Sequence, residues 1–530
     1  MHEEAAASAE HLLSDAEMAA FISRGLHVVA PGVGPAVHRR VCKEIEQLHA
    51  GSAAAFDDHT LHGETRERPN SNDLLRQVPS LAEVCGDARV CGALASLLGP
   101  RHYQQVHRHV HFKSPSQPEG REAAVEQWQT ARFQQGNLHQ DGRFRALGGW
   151  NRFFRHPYLP FKLVVFYFPH AVTELNGPTQ VVEGSQYFGA LTAAQVERAV
   201  ALSVPAGSFV LLHSSIWHRA TPELAGRRRI MVKLNYDRTD APHPSWNHQA
   251  GTPPGWPTGV DPVQSPWLLH TWQWMCACEA GPRQDVLTDA QTDRLIAKLL
   301  TGEGTSLELL RAACQLGAGA PTADGVAALL AALPCAVADD SPVVASPSQE
   351  RQGWSTHFEG FAIVMAVSAF GHRAAPALLR EIAAAAPGKR KAVLLDLLLD
   401  CGGGGSEAAS DRIGCFVECL ADAEPWVRHS AAQALELSAS HAAEIFGARQ
   451  LCSALAPLLS DENEFLIWEA ISALRYSSGT DRCLLRELCS RLQPLVAPGS
   501  AFVRWKAQES LALVEAQLAQ STGGPGHPRL

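Results

Sequence analysis

The 530-residue sequence contains no apolar run of the roughly eighteen residues that a membrane-spanning helix needs. The N-terminus, Met1-His-Glu-Glu-Ala-Ala-Ala, is acidic and lacks the apolar centre of a secretory signal. The C-terminus ends in His527-Pro-Arg-Leu530 and differs from the Ser-Lys-Leu address of peroxisomal proteins. These absences predict a cytoplasmic protein with no membrane span.

A surplus of basic residues is also absent. The chain has 45 Lys and Arg against 54 Asp and Glu, a formal net charge of −9, so we expect no nucleic-acid partner. None of the 13 cysteines has the two-residue spacer of zinc or redox pairs; the closest approach is Cys276-Ala-Cys278. Reduced thiols are the simplest interpretation. The apolar fraction of 46% is that of a globular protein, and the length predicts two or three domains.

The most informative motif is His139-Gln140-Asp141, which is followed by His218 and, eleven residues later, by Arg229. In an extended strand, residues two apart point to the same face, so His139 and Asp141 can bind one metal ion from one strand. His218 must then come from a strand that folds back beside that pair. Two imidazoles and one carboxylate suit Fe(II) and leave three coordination positions open. A bidentate 2-oxo acid can fill two of these positions, and dioxygen the third.

The surroundings strengthen this interpretation, because an H-x-D tripeptide alone is common. Residues 204–213 predict a glycine turn that leads into an apolar strand, and residues 227–236 predict a second strand. On the second strand, Arg229 could hold the far end of a 2-oxo acid, since a guanidinium binds a carboxylate in a bidentate manner.

Several motifs together resemble the phytanoyl-CoA dioxygenase family of Fe(II)/2-oxoglutarate oxygenases. They are Asn137-Leu-His-Gln-Asp141, Asn176-Gly-Pro-Thr-Gln-Val-Val-Glu-Gly-Ser185, and Trp217-His-Arg-Ala-Thr-Pro followed by Arg228-Arg-Ile-Met. The resemblance extends from about Leu13 to Asp237. It implies a double-stranded β-helix (jelly roll) with flanking helices, in which His139, Asp141 and His218 are the iron ligands and Arg229 holds 2-oxoglutarate.

The chain departs from the family at one position of the site. Many members have a serine two residues after the last ligand histidine, where it helps to hold the co-substrate carboxylate. This chain has Ala220 there, followed by Thr221, so either the threonine substitutes or the contact is lost. Halogenating relatives replace the carboxylate ligand with a small residue; because Asp141 is present, we expect hydroxylation. No catalytic residue beyond the metal ligands is predicted.

Other histidines could also bind metal. His213 competes with His218, but no arginine lies eleven residues after it, so His218 is preferred and His213 is interpreted as a packing residue. A strand predicted from Tyr103 to Phe112 carries three histidines on one face, His107, His109 and His111. Their spacing is large for a single ion, and a supporting role is preferred over a second metal site.

The segment from Arg143 to His156 follows the H-x-D motif directly and mixes arginines with aromatic residues. Two interpretations stay open for it. It is either a lid that recognises an anionic or aromatic substrate, or a solvated surface loop.

Strand patterns disappear from about Asp285 onwards, where Ala, Leu and Cys dominate. Residues 422–435 align with residues 461–474 at an offset of 39, and residues 502–511 follow at an offset of 37. The shared apolar positions lie on one helical face and resemble HEAT or armadillo repeats, whose helix pairs stack into a solenoid. The sequence thus predicts an oxygenase domain over residues 1–280 and an all-α helical-repeat domain over residues 285–520.

Three functions were weighed. The preferred one is an Fe(II)- and 2-oxoglutarate-dependent dioxygenase that hydroxylates a small-molecule or lipid-like substrate, with a possible protein partner on the repeats. The alternative is an interaction protein whose repeats bind a partner while the oxygenase-like domain is inactive. A zinc hydrolase using the same three side chains would leave Arg229 and the Asn176–Ser185 motif without a purpose.

Overall fold

A computed structural model defines the architecture. It describes residues 9–51, 74–99, 102–104, 108–113, 138–141, 159–188, 191–238, 255–257, 265–276, 287–303, 323–333, 361–385, 388–401, 406–496 and 501–520, with isolated positions in 122–128 and 308–316. The segment from Arg143 to His156 and residue His107 lie outside the described residues.

Two antiparallel sheets form the first half of the described chain. The strands are β1 (Leu26–Val29), β2 (His102–Gln104), β3 (His109–Lys113), β4 (Lys162–Phe168), β5 (Thr179–Val181), β6 (Val200–Ala201), β7 (Ser208–His213), β8 (His218–Ala220) and β9 (Arg229–Arg238). The larger sheet has the order β1-β7-β4-β9-β2, with β3 also paired to β9, and the smaller sheet has the order β6-β5-β8. The predicted strands over residues 204–213 and 227–236 are therefore present as β7 and β9.

The two faces of the larger sheet have different roles, because side chains alternate along each strand. The inner face carries Val164, Phe166, Val210 and Leu212, which join one apolar cluster with Val181 of the smaller sheet. The outer face packs against helices. The inner face is thus the space between the two sheets, and it is the face on which the functional side chains described below lie.

Helices cover the outer face of the larger sheet. They are α1 (Asp15–Arg24), α2 (Pro35–Gly51), α3 (Leu74–Gln77), α4 (Pro79–Cys85) and α5 (Ala88–Leu98); α6 (Ala193–Val196) and α7 (Ser265–Met275) come later in the chain. Ser14, three residues before Glu17, predicts a capping box, and the structure has it: the Ser14 side chain accepts from the Glu17 amide, and the Glu17 side chain accepts from the Ser14 amide. The sequence predicts one helix over residues 81–98, but the structure has two. The Asp87 side chain accepts a hydrogen bond from the Arg89 amide and so begins a new helix at Ala88.

The strand predicted from Tyr103 to Phe112 is likewise divided. Gln104 of β2 pairs with Tyr236, whereas His109 of β3 pairs with Lys233, so the pairing advances by five residues along one segment and by three along β9. The extra residues shift the register between β2 and β3. As a result, the direction in which the His109 and His111 side chains point is set by the pairing of β3 with β9.

Every described element from Asp289 onwards is helical. The α-helices are α8 (Asp289–Thr301), α9 (Ala323–Ala331), α10 (Phe361–Ala369), α11 (Ala375–Ala384), α12 (Lys389–Asp400), α13 (Ser406–Cys419), α14 (Pro425–Leu437), α15 (Ala439–Ala442), α16 (Ala448–Leu455), α17 (Glu464–Ser478), α18 (Arg482–Leu492) and α19 (Ala501–Gln520). Among the described residues, no helix is both long enough and apolar enough to cross a bilayer.

In the helical region, two ion pairs of the same kind join one helix to the turn before a later helix. The Lys391 Nζ of α12 lies 2.8 Å from an oxygen of Asp422, and the Arg428 Nη2 of α14 lies 2.8 Å from an oxygen of Asp461. Each aspartate also accepts a hydrogen bond of 2.9 Å from the amide two residues later, at the turn before the next helix. Helices α12, α14, α17 and α19 contact one another in that order.

Candidate metal centre

His139 and His218 are held side by side by the backbone. The His139 amide donates to the His218 carbonyl at 2.9 Å, and the His218 amide donates to the His139 carbonyl at 2.9 Å. This reciprocal bridge places the two imidazole centroids 4.5 Å apart. Asp141 lies two residues after His139, and one potential ligand atom from each of the three side chains falls within 4.8 Å of the others.

The distance between His218 and Asp141 is close to that of two neighbouring ligands of an octahedral metal ion. His218 Nδ1 lies 3.0 Å from the Ile216 carbonyl oxygen, and because a carbonyl can only accept, Nδ1 must carry the proton. His218 Nε2 therefore keeps its lone pair, and it lies 3.3 Å from Asp141 Oδ2. Neighbouring ligands of an octahedral ion with bonds of about 2.1 Å are roughly 3 Å apart. Only a small adjustment would close this pair on a metal.

The Asn176–Ser185 motif braces the strand that carries His218. Residues Thr179 to Val181 form β5, which pairs with β8 so that Val181 lies opposite His218. The Ser185 hydroxyl accepts a hydrogen bond of 2.8 Å from the Trp217 amide. The role of this motif in the fold is therefore to fix the backbone on both sides of the histidine.

Gln140, between the two residues of the H-x-D motif, is buried and points away from them. Its amide nitrogen donates to the carbonyl of Phe188 at 3.2 Å and to the carbonyl of Ser215. These bonds anchor the short extended segment to the turn that precedes β8. The middle residue of the motif thus helps to hold His139 and Asp141 in place.

Lys233 is a residue of the site that the sequence analysis missed. Its Nζ lies 2.8 Å from Asp141 Oδ2, and the side chains of both residues are about one-fifth exposed. Burial by itself would raise the pKa of Asp141, but the ammonium of Lys233, at 2.8 Å, acts against it, and that pKa is held well below its usual range. The carboxylate is consequently ionised and able to bind a cation at neutral pH.

Arg229 and Lys233 lie on the same face of β9. Lys233 is opposite Phe166 of β4, which belongs to the inner apolar cluster, so both cations point between the sheets. Arg229 is only 2% exposed and lies opposite Lys113. The predicted arginine therefore occupies the inner face, as a co-substrate anchor requires.

His111 and His109 lie on this same face, opposite Met231 and Lys233. The pKa of His111 is held well below its usual range by burial, and also by the nearby charges of His109, Lys233 and Arg229. Among the described residues, the only group of three or more potential ligands with metal-binding spacing is His139, Asp141 and His218. His109 and His111 thus neighbour the centre without forming a second one in that part of the chain.

His213 lies elsewhere. It pairs with Leu163 on the outer face of the sheet, its Nδ1 accepts a hydrogen bond of 3.1 Å from the Ser215 amide, and its ring packs 6.4 Å from that of Phe21. The structure therefore brings His218, rather than His213, to the H-x-D pair.

The hydroxyl of Thr221 does not take the place of the serine that many family members have at the position of Ala220. Its hydroxyl donates to the Pro178 carbonyl at 2.5 Å, and the residue is 2% exposed. The proton of this hydroxyl is thus bound to the backbone, and the departure from the family at Ala220 stands.

Comparisons with known proteins agree with the location of this centre. The model of the phytanoyl-CoA dioxygenase family matches residues 21–231, which is less than half of the chain. A search of curated proteins finds no match.

Solved structures that match part of the chain include a non-heme monooxygenase, ThoJ, in its apo form (16% identity, 44% of this chain, 87% of that chain). They also include AviO1 from Streptomyces viridochromogenes Tue57 (16%, 42% and 93%) and EctD from S. alaskensis with bound Fe (18%, 42% and 75%). The TM-score is 0.30 in each case. The family match over residues 21–231 and the donor set together indicate Fe(II) and 2-oxoglutarate as cofactors.

Proposed function

We propose that the protein is an Fe(II)- and 2-oxoglutarate-dependent dioxygenase that hydroxylates a small-molecule or lipid-like substrate. The two sheets form a sandwich, and Arg229 lies on the inner face of its larger sheet. The observation that carries the proposal is the convergence of His139, Asp141 and His218 within 4.8 Å on that side of the sheet. A zinc hydrolase would need the three ligands but would have no use for a buried guanidinium beside them.

Each residue has a distinct task in this proposal. His139, Asp141 and His218 would hold Fe(II) on one side of its coordination sphere, and Arg229 would bind the far carboxylate of 2-oxoglutarate. When bound, the iron supplies the oxidative chemistry that couples decarboxylation of 2-oxoglutarate to oxidation of the substrate. The retention of Asp141 favours hydroxylation over halogenation.

The protein itself contributes geometry, protonation and exclusion of water. The hydrogen bond from His218 Nδ1 to the Ile216 carbonyl keeps Nε2 available as a ligand. Val164, Phe166 and Met231 form an apolar part of the inner face, and the Phe166 ring lies 5.9 Å from that of His218, so this part would help to exclude water from the ligands. An apolar wall of this kind also suits the hydrocarbon part of a small or lipid-like substrate.

For the rest of the chain we propose a division at residues 1–280 and 285–520, with HEAT- or armadillo-like repeats in the second part. The repeated contact of Lys391 with Asp422 and of Arg428 with Asp461 supports the repeat interpretation, because equivalent residues of consecutive units make equivalent bonds. Such a stack of helices offers an extended surface for a protein partner, and this is the second function that we propose for the chain.

The oxygenase proposal is tested by anaerobic addition of Fe(II) and 2-oxoglutarate to the metal-free protein. Chelation of iron by the 2-oxo acid gives a weak visible charge-transfer band, and we expect the band in the wild type and its loss in His218→Ala. His213→Ala is the matched control: it removes a buried histidine from the opposite face of the sheet and should keep the band.

Two further outcomes complete this test. Succinate release in the presence of dioxygen should follow the same pattern across the three proteins, since it needs the same ligands. A band that survives in His218→Ala, or that disappears in His213→Ala at unchanged melting temperature, would contradict the ligand assignment.

A further inference from the structure

We infer that Lys233 is a positioning and charge-balancing residue of the metal centre, which orients the Asp141 carboxylate and couples metal binding to the binding of a dianionic 2-oxo acid. The inference rests on the proposed function. Lys233 is neither one of the three candidate ligands nor the candidate co-substrate anchor Arg229, but its charge would regulate how tightly that site binds metal.

The position of Lys233 in the sandwich is unusual for a lysine. On one side its neighbours on the inner face are apolar, Phe166 opposite on β4 and then Val210 on β7, while His109 of β3 lies opposite on the other side. Lysine is rarely placed between packed sheets unless its charge has a partner. That partner is Asp141, at 2.8 Å, so the charge of this largely buried lysine is balanced by a candidate ligand.

The contact restricts how Asp141 can present its oxygens. The same oxygen, Oδ2, is 2.8 Å from Lys233 Nζ and 3.3 Å from His218 Nε2. A charge-assisted hydrogen bond to one oxygen fixes the rotation of the carboxylate. The ammonium therefore aims Oδ2 towards the imidazole with which it would share a metal ion.

The charges of the site lead to a second consequence. In the metal-free protein, the ammonium of Lys233 balances the Asp141 carboxylate. A divalent cation that binds to the carboxylate then lies close to a fixed positive charge, which weakens its binding. The dianion 2-oxoglutarate would offset this excess, with Arg229 at its other end. Metal and co-substrate are consequently expected to bind more tightly together than either does alone.

The helical region supplies a matched pair for the test. Lys391 and Asp422 are also 2.8 Å apart, and Lys391 is 18% exposed, the same as Lys233. This pair lies at the turn before α14, outside the sandwich. Lys391→Met thus removes an equivalent ion pair without touching the centre.

The experiment measures Fe(II) affinity by anaerobic equilibrium dialysis, with and without saturating 2-oxoglutarate. The proteins are the wild type, Lys233→Met, Lys233→Arg and Lys391→Met. The ratio of the two affinities is the coupling factor. We expect Lys233→Met to bind Fe(II) alone as tightly as the wild type or more tightly, while its coupling factor falls by about tenfold. Lys233→Arg, which keeps the charge, should retain most of the coupling, and Lys391→Met should match the wild type.

The outcomes separate this inference from the proposed function. If Lys233→Met loses Fe(II) affinity by the same factor with and without 2-oxoglutarate, the lysine is only a structural support and the inference is wrong. An unchanged coupling factor in Lys233→Met would also overturn it. A wild type that binds no Fe(II), or whose Fe(II) affinity ignores 2-oxoglutarate, would instead remove the proposed function itself.

Discussion

The sandwich and the helical region each contain a lysine whose Nζ lies 2.8 Å from an aspartate oxygen, but the two pairs have different surroundings. Asp141 is bound by Lys233 and lies beside two imidazoles on the inner face of the sandwich. Asp422 is bound by Lys391, and its other oxygen accepts the Glu424 amide at the start of a helix. The distance alone does not tell them apart.

The difference shows what marks a functional ion pair. The pair in the helical region satisfies a backbone amide at the start of a helix, and Arg428 and Asp461 make the same contact one helix pair later, as the proposed repeats would require. The pair in the sandwich caps no helix and instead brings a charge to a group of potential ligands. The two pairs have the same distance, so the neighbouring groups distinguish them: Lys391 stabilises the start of a helix, and Lys233 lies at the candidate metal centre.

The largest expected effect concerns Arg229. Arg229→Ala removes a buried guanidinium, and loss of one partner of a buried charge pair costs roughly 2–5 kcal/mol. The affinity for 2-oxoglutarate, measured by titration of the charge-transfer band, should therefore fall by roughly a hundredfold or more. Fe(II) affinity without 2-oxoglutarate should change little.

Arg238 gives the control for this variant. It is equally buried on β9, and its Nη2 donates to the Leu97 carbonyl at 2.8 Å on the helix-covered side. Arg238→Leu should lower the melting temperature and leave 2-oxoglutarate affinity intact. Equal losses of affinity in both variants would mean that Arg229 acts through folding alone.

A smaller effect is expected in the helical region. Asp422→Ala leaves Lys391 without its partner and removes the acceptor of the Glu424 amide, which should lower the free energy of unfolding by about 1–3 kcal/mol. Urea denaturation would measure this loss, with Asp411→Ala, an exposed aspartate of α13, as the control. If Asp422→Ala weakened Fe(II) binding, the conclusion that the Lys391–Asp422 pair serves only the fold would be wrong.

The smallest effect is a dependence on pH. Burial is the main cause of lowered pKa values for a group of histidines that all lie in the first third of the chain: His27, His38, His102, His111 and His170. The pKa of each of these histidines is lower in the folded protein than in the unfolded chain. Their contribution to the free energy of unfolding is therefore fully present above about pH 6.5 and is lost as the pH falls through the folded pKa.

Acid should therefore loosen the sandwich before the helical region. Amide exchange of the metal-free protein at about pH 7.5 and about pH 5.5 would measure this. After correction for intrinsic exchange rates, protection of β4 should fall severalfold at the lower pH, while that of α14 changes less. A uniform change along the chain would argue against these histidines as the cause.

Much of the site was predictable from residue order. The H-x-D pair, His218 and Arg229 follow from spacing and strand pattern, and the structure brings all four to the inner face. Lys233 could have been found as well. It lies four residues after Arg229 in an apolar strand, so alternation places it on the same face, where a lysine needs a partner.

Other features were not predictable from the local pattern. The division of the helix predicted over residues 81–98 depends on one aspartate cap, and the division of the strand from Tyr103 to Phe112 depends on its register against β9. Propensity is similar on both sides of such breaks. They are decided by hydrogen bonds to neighbouring groups rather than by the segment itself.

The sequence by itself determined which side chains are available for chemistry and which face of each strand they share, because the two-residue period of a strand is a local property. Only the tertiary structure decided that His218 rather than His213 meets the H-x-D pair, and that Lys233 finds Asp141. Both depend on which strands lie side by side, and strand pairing is set by the packing of the whole sandwich.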